Sequence, residues 1–315
     1  MTQFFDDLRA QCAGLPPMPT AVAHPCDAVS LSGAVDAARE GLLEPILVGP
    51  ERKIRAVAGA EGLDIAPFRL IPTKHSHEAA EKAVALVREG SASVLMKGSL
   101  HTDELMHEVM EKATGLRTER RISHVYVMHV PTYPKLLMVT DAAINIYPTL
   151  EDKRDICQNA IDLAQALGIS QPKVGILSAV ETVMPKIPST VEAAALCKMA
   201  DRGQITGGLL DGPLAFDNAI SKEAAAIKHI RSDVAGDADI LLVPDLEAGN
   251  MLAKQLTFLA NADAAGLVVG ARAPIILTSR ADSVEARLAS CAVAAIFAAA
   301  REGLRVAAAA AAEEE

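Results

Sequence analysis

Short apolar runs alternate with longer segments of helical periodicity along most of the chain. The strand-like runs at Glu44–Pro50, Ser93–Met96 and Lys173–Leu177 are continuously apolar at their centres, rather than alternating between apolar and polar residues. Such runs are typical of strands buried on both faces, as in a parallel sheet covered by helices. The sequence therefore predicts an α/β fold with mostly parallel sheets.

The middle of the chain breaks this alternation. Two strand-like runs, Ile122–Val130 and Leu136–Val139, are separated by only five residues. Five residues are too few for a helical crossover, so the two runs are predicted to form an antiparallel hairpin. We place a domain change here, with a first domain of residues 1–131 and 270–315 and a second domain of residues 132–269.

The formal net charge of -10 and an aromatic content of 3%, without tryptophan, limit the possible partners. A net acidic protein lacks the basic field that attracts DNA or an anionic membrane. The longest uncharged apolar run, Leu288–Ala300, is too short to cross a bilayer, and the N-terminus lacks the order of a signal peptide. Five widely spaced cysteines without a C-x-x-C pair predict neither a disulfide framework nor a zinc site. We therefore expect a soluble, cytoplasmic protein without nucleic-acid or membrane partners.

Polar residues directly follow several predicted strands. Asp141, Asp211 and Asp245 each stand just past an apolar run, and Asn145 and Asn250 follow two of them. A single acid at such a junction is usually a helix cap or a turn former. Four such junctions, counting a serine–arginine pair near the C-terminus, favour a shared binding cleft, because ligands bind at the carboxyl edge of a parallel sheet.

Cationic side chains that could bind an anion are fewer. Lys97 directly follows an apolar strand, which holds it near the sheet edge, and His101 lies four residues further on. Arg117, Arg120 and Arg121 precede the hairpin, although isolated surface arginines are usually only solvated. Lys97 is therefore the strongest of these candidates.

The C-terminal region contains a short strand, a polar segment and a long alanine-rich helix. Ile275–Leu277 is the predicted strand, and the helix runs from about Ser283 to Arg301. Ser279 and Arg280 lie between them, where the free N–H groups of a helix start attract anions and a guanidinium matches phosphate oxygens. This segment is predicted to bind an anion.

Two acids beside that pair have two possible roles. Asp282 and Glu285 have the spacing of a capping box, in which Asp282 would be the N-cap of the long helix. Both are also close enough in sequence to Ser279 and Arg280 to belong to the same site. The two roles stay open.

Several well-known site motifs are absent from the sequence. It contains no G-x-x-x-x-G-K-[ST] loop, no G-x-G-x-x-G fingerprint and no H-E-x-x-H pair. The sequence therefore gives little support to an ATPase, a standard Rossmann dehydrogenase or a zinc hydrolase.

A series of short stretches forms an ordered set along the chain. They are Met96–Gly98, Gly115–Thr118, Ser123–Val125, Thr140–Asp141 with Asn145 and Tyr147–Pro148, Pro188–Thr190, Lys198–Ile205, Asp211–Leu214, Leu246–Asn250 and Leu277–Ser283. In this order they resemble the phosphate acetyltransferase and phosphate butyryltransferase family over nearly the whole chain. The resemblance implies two α/β/α domains with an interdomain cleft, as in isocitrate and isopropylmalate dehydrogenases, and usually a homodimer. It also implies the reversible reaction acyl-CoA + phosphate = acyl phosphate + CoA, with an acetyl or butyryl group.

The resemblance also implies roles for single residues. Arg280 matches the family's essential arginine and would hold the phosphoryl group, while Ser279 matches its essential serine and would hydrogen-bond the reacting carbonyl or thiol. The acetyl enzymes have a catalytic aspartate seven residues after the serine, where this chain has Ala286. Asp282 and Glu285 are the carboxylates left as candidate bases.

The resemblance and the polar strand ends together predict how the substrates are bound. CoA and phosphate or acyl phosphate are expected to contact Lys97, His101, Arg117, Asp141, Asn145, Asp211 and Asn250. Transfer would be direct, in a ternary complex, with neither a metal nor a covalent acyl-enzyme. CoA would be a substrate, and no cofactor is expected.

Two other hypotheses belong to different classes. The first is a Mg²⁺-dependent NAD dehydrogenase of the same architecture, with Asp211 and Asp245 as metal ligands. The second is a non-catalytic module that binds acyl-CoA or acyl phosphate, which the alanine at position 286 makes plausible. The length of the acyl group is not readable from the sequence.

Overall fold

The computed structural model describes residues 3–277 and 282–313, with side chains up to Gly303. It divides into two compact units: unit 1 contains Met1–Arg120 and Ala265–Glu315, and unit 2 contains Arg121–Ala264. The first unit is therefore discontinuous in sequence. The two breaks predicted from the sequence follow residues 131 and 269.

Strands and helices alternate through most of both units. The strands are β1 (Met18–Ala23), β2 (Leu43–Gly49), β3 (Arg69–Pro72), β4 (Val94–Lys97), β5 (Ser123–His129), β6 (Leu137–Thr140), β7 (Lys173–Leu177), β8 (Leu209–Leu214), β9 (Ile240–Leu242), β10 (Asp263–Val269) and β11 (Ile275–Ile276). The helices are α1 (Gln3–Gln11), α2 (Ala28–Arg39), α3 (Glu51–Glu61), α4 (Ser76–Arg88), α5 (Thr102–Met110), α6 (Leu150–Ala166), α7 (Pro188–Asp201), α8 (Phe216–Ile220), α9 (Lys222–Ile227), α10 (Leu246–Leu259) and α11 (Val284–Glu313). The predicted α/β class is confirmed.

The strands of unit 1 lie in the order β3-β2-β1-β4-β11-β10. Neighbours are parallel except for β10, which runs antiparallel to β11. Most residues of β1, β2 and β4 are buried, as their continuous apolar sequences predict. Helix α11 packs against β1 and β4, and its alanine-rich centre permits a close approach to the strands.

Three strands of unit 1 end at the same level. Ala23 of β1 pairs in register with Lys97 of β4, and Ile276 of β11 pairs with Met96 of β4. The residues that follow these strands, from His24, from Gly98 and from Leu277, therefore leave the sheet at one edge. That edge is where ligands bind in open α/β sheets.

Unit 2 contains the hairpin predicted from the sequence. Strands β5 and β6 pair antiparallel, and the strand order is β5-β6-β9-β7-β8, with the pairs from β6 to β8 all parallel. Helix α6 begins with a capping box in which Thr149 and Asp152 satisfy each other's backbone N–H groups. The predicted hairpin is confirmed.

Three local features differ from the sequence-based expectations. Helix α1 was not predicted, yet it buries Phe4, Phe5 and Leu8. The pattern near Lys222–Ile230 predicts one short helix, which is α9, whereas the structure has a further helix, α8, that meets it at Ser221. Helix α11 was expected to end near Arg301, but it continues to Glu313.

Candidate active site

The loop after β4 is held tightly against the end of β1. The Gly98 amide donates to the Ala23 carbonyl at 2.8 Å, and the Ser99 amide donates to the His24 carbonyl at 2.9 Å. A Cβ atom on Gly98 would lie 2.4 Å from the Ala23 oxygen and 2.5 Å from the His24 oxygen. Only glycine permits this approach, which explains why glycine follows Lys97.

Replacing Gly98 with alanine is expected to destabilise unit 1 by about 3 kcal/mol, because backbone atoms of the β1 and β4 ends must move apart. The measurement is the midpoint of urea unfolding. Gly59→Ala is the matched control, since Gly59 lies in α3 with no atom within 4 Å of the added Cβ. That substitution is expected to stabilise the protein by about 0.5–1 kcal/mol, because alanine is the better helix former. Equal midpoints for the two variants would contradict the steric argument.

Lys97 and His101 both lie at this edge of unit 1. Lys97 is half-buried, and its Nζ donates to the carbonyls of Gly98 at 3.2 Å and Leu100 at 3.4 Å. His101 is the exposed N-cap residue of α5, and its side chain makes no capping hydrogen bond. The structure therefore brings these two predicted residues into one loop.

His24 and Ser99 are part of the same edge and were missed in the sequence. The His24 Nδ1 and Ser99 Oγ atoms are 3.1 Å apart, and Ser99 Oγ also donates to the His24 carbonyl at 2.9 Å. His24 has a φ of 55°, in the left-handed region that few residues other than glycine adopt. The signal was present, because His24 follows an apolar run directly, as Lys97 does.

Arg117 is presented by an anchored segment of unit 1. The Leu116 carbonyl accepts from the Arg272 amide at 2.8 Å, and Thr118 Oγ1 donates to the Gly270 carbonyl at 2.7 Å. Both anchors are on the chain that leads from β10 to β11, while Arg117 itself is exposed. The structure thus fixes the backbone on either side of this predicted anion-binding residue.

Ser279 and Arg280 lie outside the described residues. Asp282 and Glu285, which follow them, are neither fully buried nor fully exposed. Of the two roles left open for these acids, that of Asp282 as the N-cap is not observed, because α11 begins at Val284 and Ser283 Oγ accepts from the Ala286 amide at 3.1 Å. Ser283 is therefore the N-cap.

Asp141 and Asn145 organise the loop after β6 in unit 2. The Asp141 carboxylate accepts from the amides of Ala143, Ile144 and Asn145 at 2.9–3.1 Å and from Asn145 Nδ2 at 2.6 Å. Asn145 Oδ1 in turn accepts from Arg121 Nε at 2.6 Å. Both predicted residues are buried, at 3% and 2% exposed, and they determine the path of the loop.

His124 lies beside this network. Its ring stacks edge-on against Tyr126, with centroids 4.4 Å apart, and its buried Nδ1 has no hydrogen bond in the part of the chain that the structure describes. Burial lowers the pKa of His124 to about 4, although the nearby Asp141 carboxylate opposes this shift. The imidazole is therefore neutral at pH 7.

The remaining predicted residues of unit 2 do not form one group. Asn250 Nδ2 donates to the Ala142 carbonyl at 3.2 Å, which places Asn250 beside the Asp141 loop. Asp211 accepts from the Gly212 amide on β8, and β9 and β7 separate that strand from β6. Asp245 is the N-cap of α10, where it accepts from the Ala248 amide at 2.9 Å. Asp141 and Asp245 thus follow the neighbouring parallel strands β6 and β9, whereas Asp211 lies on β8, which β7 separates from β9.

Among the described residues, no three His, Cys, Asp or Glu side chains are grouped so as to hold a metal ion. No helix in the described parts of the chain is both long and apolar enough to span a membrane.

Comparison with known proteins identifies the family. The profile described as phosphate acetyl/butaryl transferase matches residues 73–295, well over half of the chain. The chain belongs to the phosphate acetyl/butyryl transferase family. It is 67% identical over 304 residues to the phosphate acetyltransferase of Rhizobium meliloti, with 96% of each chain covered. It is also 44% identical to the phosphate butyryltransferase of Clostridium acetobutylicum over 278 residues, which are 88% of this chain and 92% of the relative.

Solved structures agree with this family assignment. The branched-chain phosphotransacylase of Enterococcus faecalis V583 matches with a TM-score of 0.78 and 32% identity, covering 89% of this chain and 99% of the other. A 4-hydroxythreonine-4-phosphate dehydrogenase of Klebsiella pneumoniae matches with a TM-score of 0.56 at 13% identity, covering 90% of this chain and 98% of the other. The second likeness concerns the fold alone.

Proposed function

We propose that this member of the phosphate acetyl/butyryl transferase family transfers a short acyl group reversibly between CoA and inorganic phosphate. The observation that carries the proposal is the 67% identity, over 96% of both chains, to a protein named phosphate acetyltransferase. The protein is an acyltransferase. Because the acetyltransferase is more similar than the butyryltransferase, at 67% against 44% identity, we propose acetyl as the preferred group.

The proposed transfer is direct. The CoA thiol attacks the carbonyl carbon of the acyl phosphate, the bond from that carbon to the phosphate oxygen breaks, and phosphate leaves with the proton that the thiol loses. Arg280 would hold the phosphoryl oxygens, and Ser279 would hydrogen-bond the reacting carbonyl or thiol. Lys97, His101 and Arg117 are the other candidates for binding phosphate or the CoA phosphates. The proposal requires no metal ion, and CoA is a substrate rather than a cofactor.

The test is to mix the protein with acetyl phosphate and CoA and to follow thioester absorbance. Thioester formation is expected with a chelator present and without a nicotinamide cofactor. A requirement for Mg²⁺ and NAD would favour the dehydrogenase hypothesis, and CoA binding without turnover would favour the binding module. A panel of acyl-CoA substrates from acetyl to hexanoyl, assayed with phosphate, tests the proposed preference for acetyl.

We also propose a homodimer, with α10 of unit 2 at the interface. On this helix, Met251, Phe258 and Leu259 are 58%, 79% and 82% exposed. The loop between β6 and α6 lies beside the start of α10, since the Ile146 carbonyl accepts from the Leu246 amide at 3.1 Å, and its Ile146 and Tyr147 are 61% and 74% exposed. Large exposed apolar groups in one region mark interaction surfaces. Sedimentation equilibrium is expected to give twice the chain mass of 33.0 kDa, and Phe258→Lys is expected to shift the equilibrium towards the monomer.

A cytoplasmic location is part of the proposal. All five cysteines are free, which agrees with a reducing compartment. Fractionation of cells that produce the protein would test this location directly.

A further inference from the structure

A cavity of about 290 Å³ lies in unit 1 at the amino ends of β4 and β11. Ser93 and Pro274 line it and directly precede these two strands, and the Pro274 carbonyl accepts from the Leu95 amide of β4 at 3.1 Å. The cavity is therefore at the opposite end of β4 from Lys97. Its volume is near the lower limit of pockets that bind small molecules.

Arginines from three separate elements line this cavity. Arg88 is the last residue of α4, Arg272 lies between β10 and β11, and Arg301 lies on α11. Among the residues that the structure describes, Glu302 is the single acid in the lining, so three arginines and one glutamate give it a formal charge of +2. The whole chain has a formal charge of -10. A local excess of positive charge on an acidic protein favours a bound anion, because the anion offsets the repulsion between the guanidinium groups.

Hydrogen bonds to backbone carbonyls orient two of the arginines. Arg301 Nη1 donates to the Ala271 carbonyl at 2.8 Å, and its guanidinium lies 5.8 Å from the centre of the Phe297 ring. Arg88 Nη1 donates to the Ala113 carbonyl at 3.3 Å. A bond to a carbonyl positions a guanidinium without neutralising its charge. Part of the cost of ordering these long side chains around a ligand is thus already met.

Part of the lining is apolar and buried. Val87, Ala273 and Ala298 contribute this surface, which weakens the screening of charges by water and strengthens the attraction between the arginines and an anion. The opposing charge of Glu302 is held in a fixed position, because its carboxylate accepts from Ser93 Oγ. The cavity therefore combines an apolar wall with cationic groups, as small-ligand sites do.

We propose that this cavity binds a small anion that carries two or more carboxylate or phosphate groups. The oxygens of both groups match the planar fork of donors of arginine. An anion with at least two negative charges complements a lining of charge +2, whereas a monoanion leaves part of the repulsion in place.

The proposed ligand would join the two sequence segments of unit 1. Arg88 and Ser93 belong to the segment that ends at Arg120, whereas Arg272 and Arg301 belong to the segment that begins at Ala265. A ligand that contacts both segments binds the folded unit and not the unfolded chain, so it stabilises the fold. This inference does not depend on acyl transfer.

Citrate and pyrophosphate are the probes, and acetate is the monoanion control. Titration calorimetry on the full chain is expected to show binding of citrate, pyrophosphate or both, but not of acetate. Binding of one probe alone distinguishes a carboxylate site from a phosphate site. The probe that binds should also raise the melting temperature by about 2 °C at ten times its Kd.

Substitutions in the lining should change the affinity in opposite directions. Arg88→Gln and Arg272→Gln, both at exposed positions, are each expected to raise Kd about 10-fold through the loss of one charge-assisted contact. Glu302→Gln is expected to lower Kd about threefold, because it removes a repelling charge and keeps an acceptor for Ser93. Arg52→Gln and Glu61→Gln make the same charge changes at exposed positions of α3 and should leave Kd unchanged.

Two results would overturn the proposal. One is the absence of both heat and a melting shift with citrate and with pyrophosphate at about 10 mM. The other is binding with the same Kd in Arg88→Gln, Arg272→Gln and the wild-type protein, which would locate the anion elsewhere on the molecule. Neither measurement uses thioester formation, so a failure here leaves the proposed acyl transfer untouched.

Discussion

Arg280→Ala is expected to lower kcat/KM for acyl phosphate by about 1000-fold. A guanidinium donates two charge-assisted hydrogen bonds to phosphate oxygens, and the loss of two such bonds corresponds to about 4 kcal/mol of transition-state stabilisation. Because Arg280 follows a strand end and does not belong to an apolar run, the fold should not depend on it. Steady-state rates with acyl phosphate or phosphate as the varied substrate provide the measurement.

Two further variants make that result specific. Arg280→Lys keeps the charge without the planar fork of donors, so its loss of activity should be smaller than that of the alanine variant. Arg52→Ala removes an exposed arginine from α3 and should leave the kinetics unchanged. If Arg280→Ala retained its dependence on phosphate, the assignment of the phosphate clamp to this residue would be lost.

Asp141→Ala is expected to destabilise unit 2 by about 4 kcal/mol. The substitution leaves three backbone amides and the Asn145 side-chain amide without the carboxylate that accepts from them, in a place that is 3% exposed. Each buried donor that loses its partner costs about 1–3 kcal/mol, and relaxation of the loop recovers part of the total. Urea unfolding should show this loss as a lower midpoint.

Asp141→Asn gives a graded comparison. Its remaining oxygen can accept from part of the loop, so its midpoint should lie between those of the wild-type and alanine proteins. Asp201→Ala removes an exposed aspartate that pairs with Lys198 on the same helix, and its midpoint should not move. A normal midpoint for Asp141→Ala would show that the hydrogen bonds contribute little to the stability of the loop.

Much of the fold was predictable because strands buried on both faces have continuous runs of apolar residues in the sequence. The β7 strand was predicted with its observed bounds, Lys173–Leu177. Helix α1 was missed because it is only nine residues long and otherwise polar, with Phe4, Phe5 and Leu8 as its buried residues. The boundary between α8 and α9 depends on Ser221, which has an extended backbone and caps the second helix through its hydroxyl. The position of this boundary is determined by tertiary packing rather than by the periodicity of the sequence.

The site was predictable in its position and less so in its details. Polar residues at strand ends led to Lys97 and Asp141, because the sheet edge follows from the strand pattern alone. The pattern did not show that Asp141 is fully hydrogen-bonded, or that Ser283 rather than Asp282 caps α11. Both depend on the path of the backbone over three or four residues. To place His24 beside Lys97 requires the register between β1 and β4, which the sequence does not specify.

The return of the chain to unit 1 through β10 and β11 also affects the order in which the protein can be completed on the ribosome. Residues 98–274 are synthesised after β4 and before β11, which is the strand that pairs with β4 on the side away from β1. During that time the nascent sheet has an unpaired parallel edge, which is the kind of surface that chaperones protect from aggregation. The segment containing Ser279 and Arg280 emerges only with the strand that closes this edge. Unfinished chains therefore lack both the last central strand and the proposed phosphate clamp, so premature acyl transfer by a partly made protein is not expected.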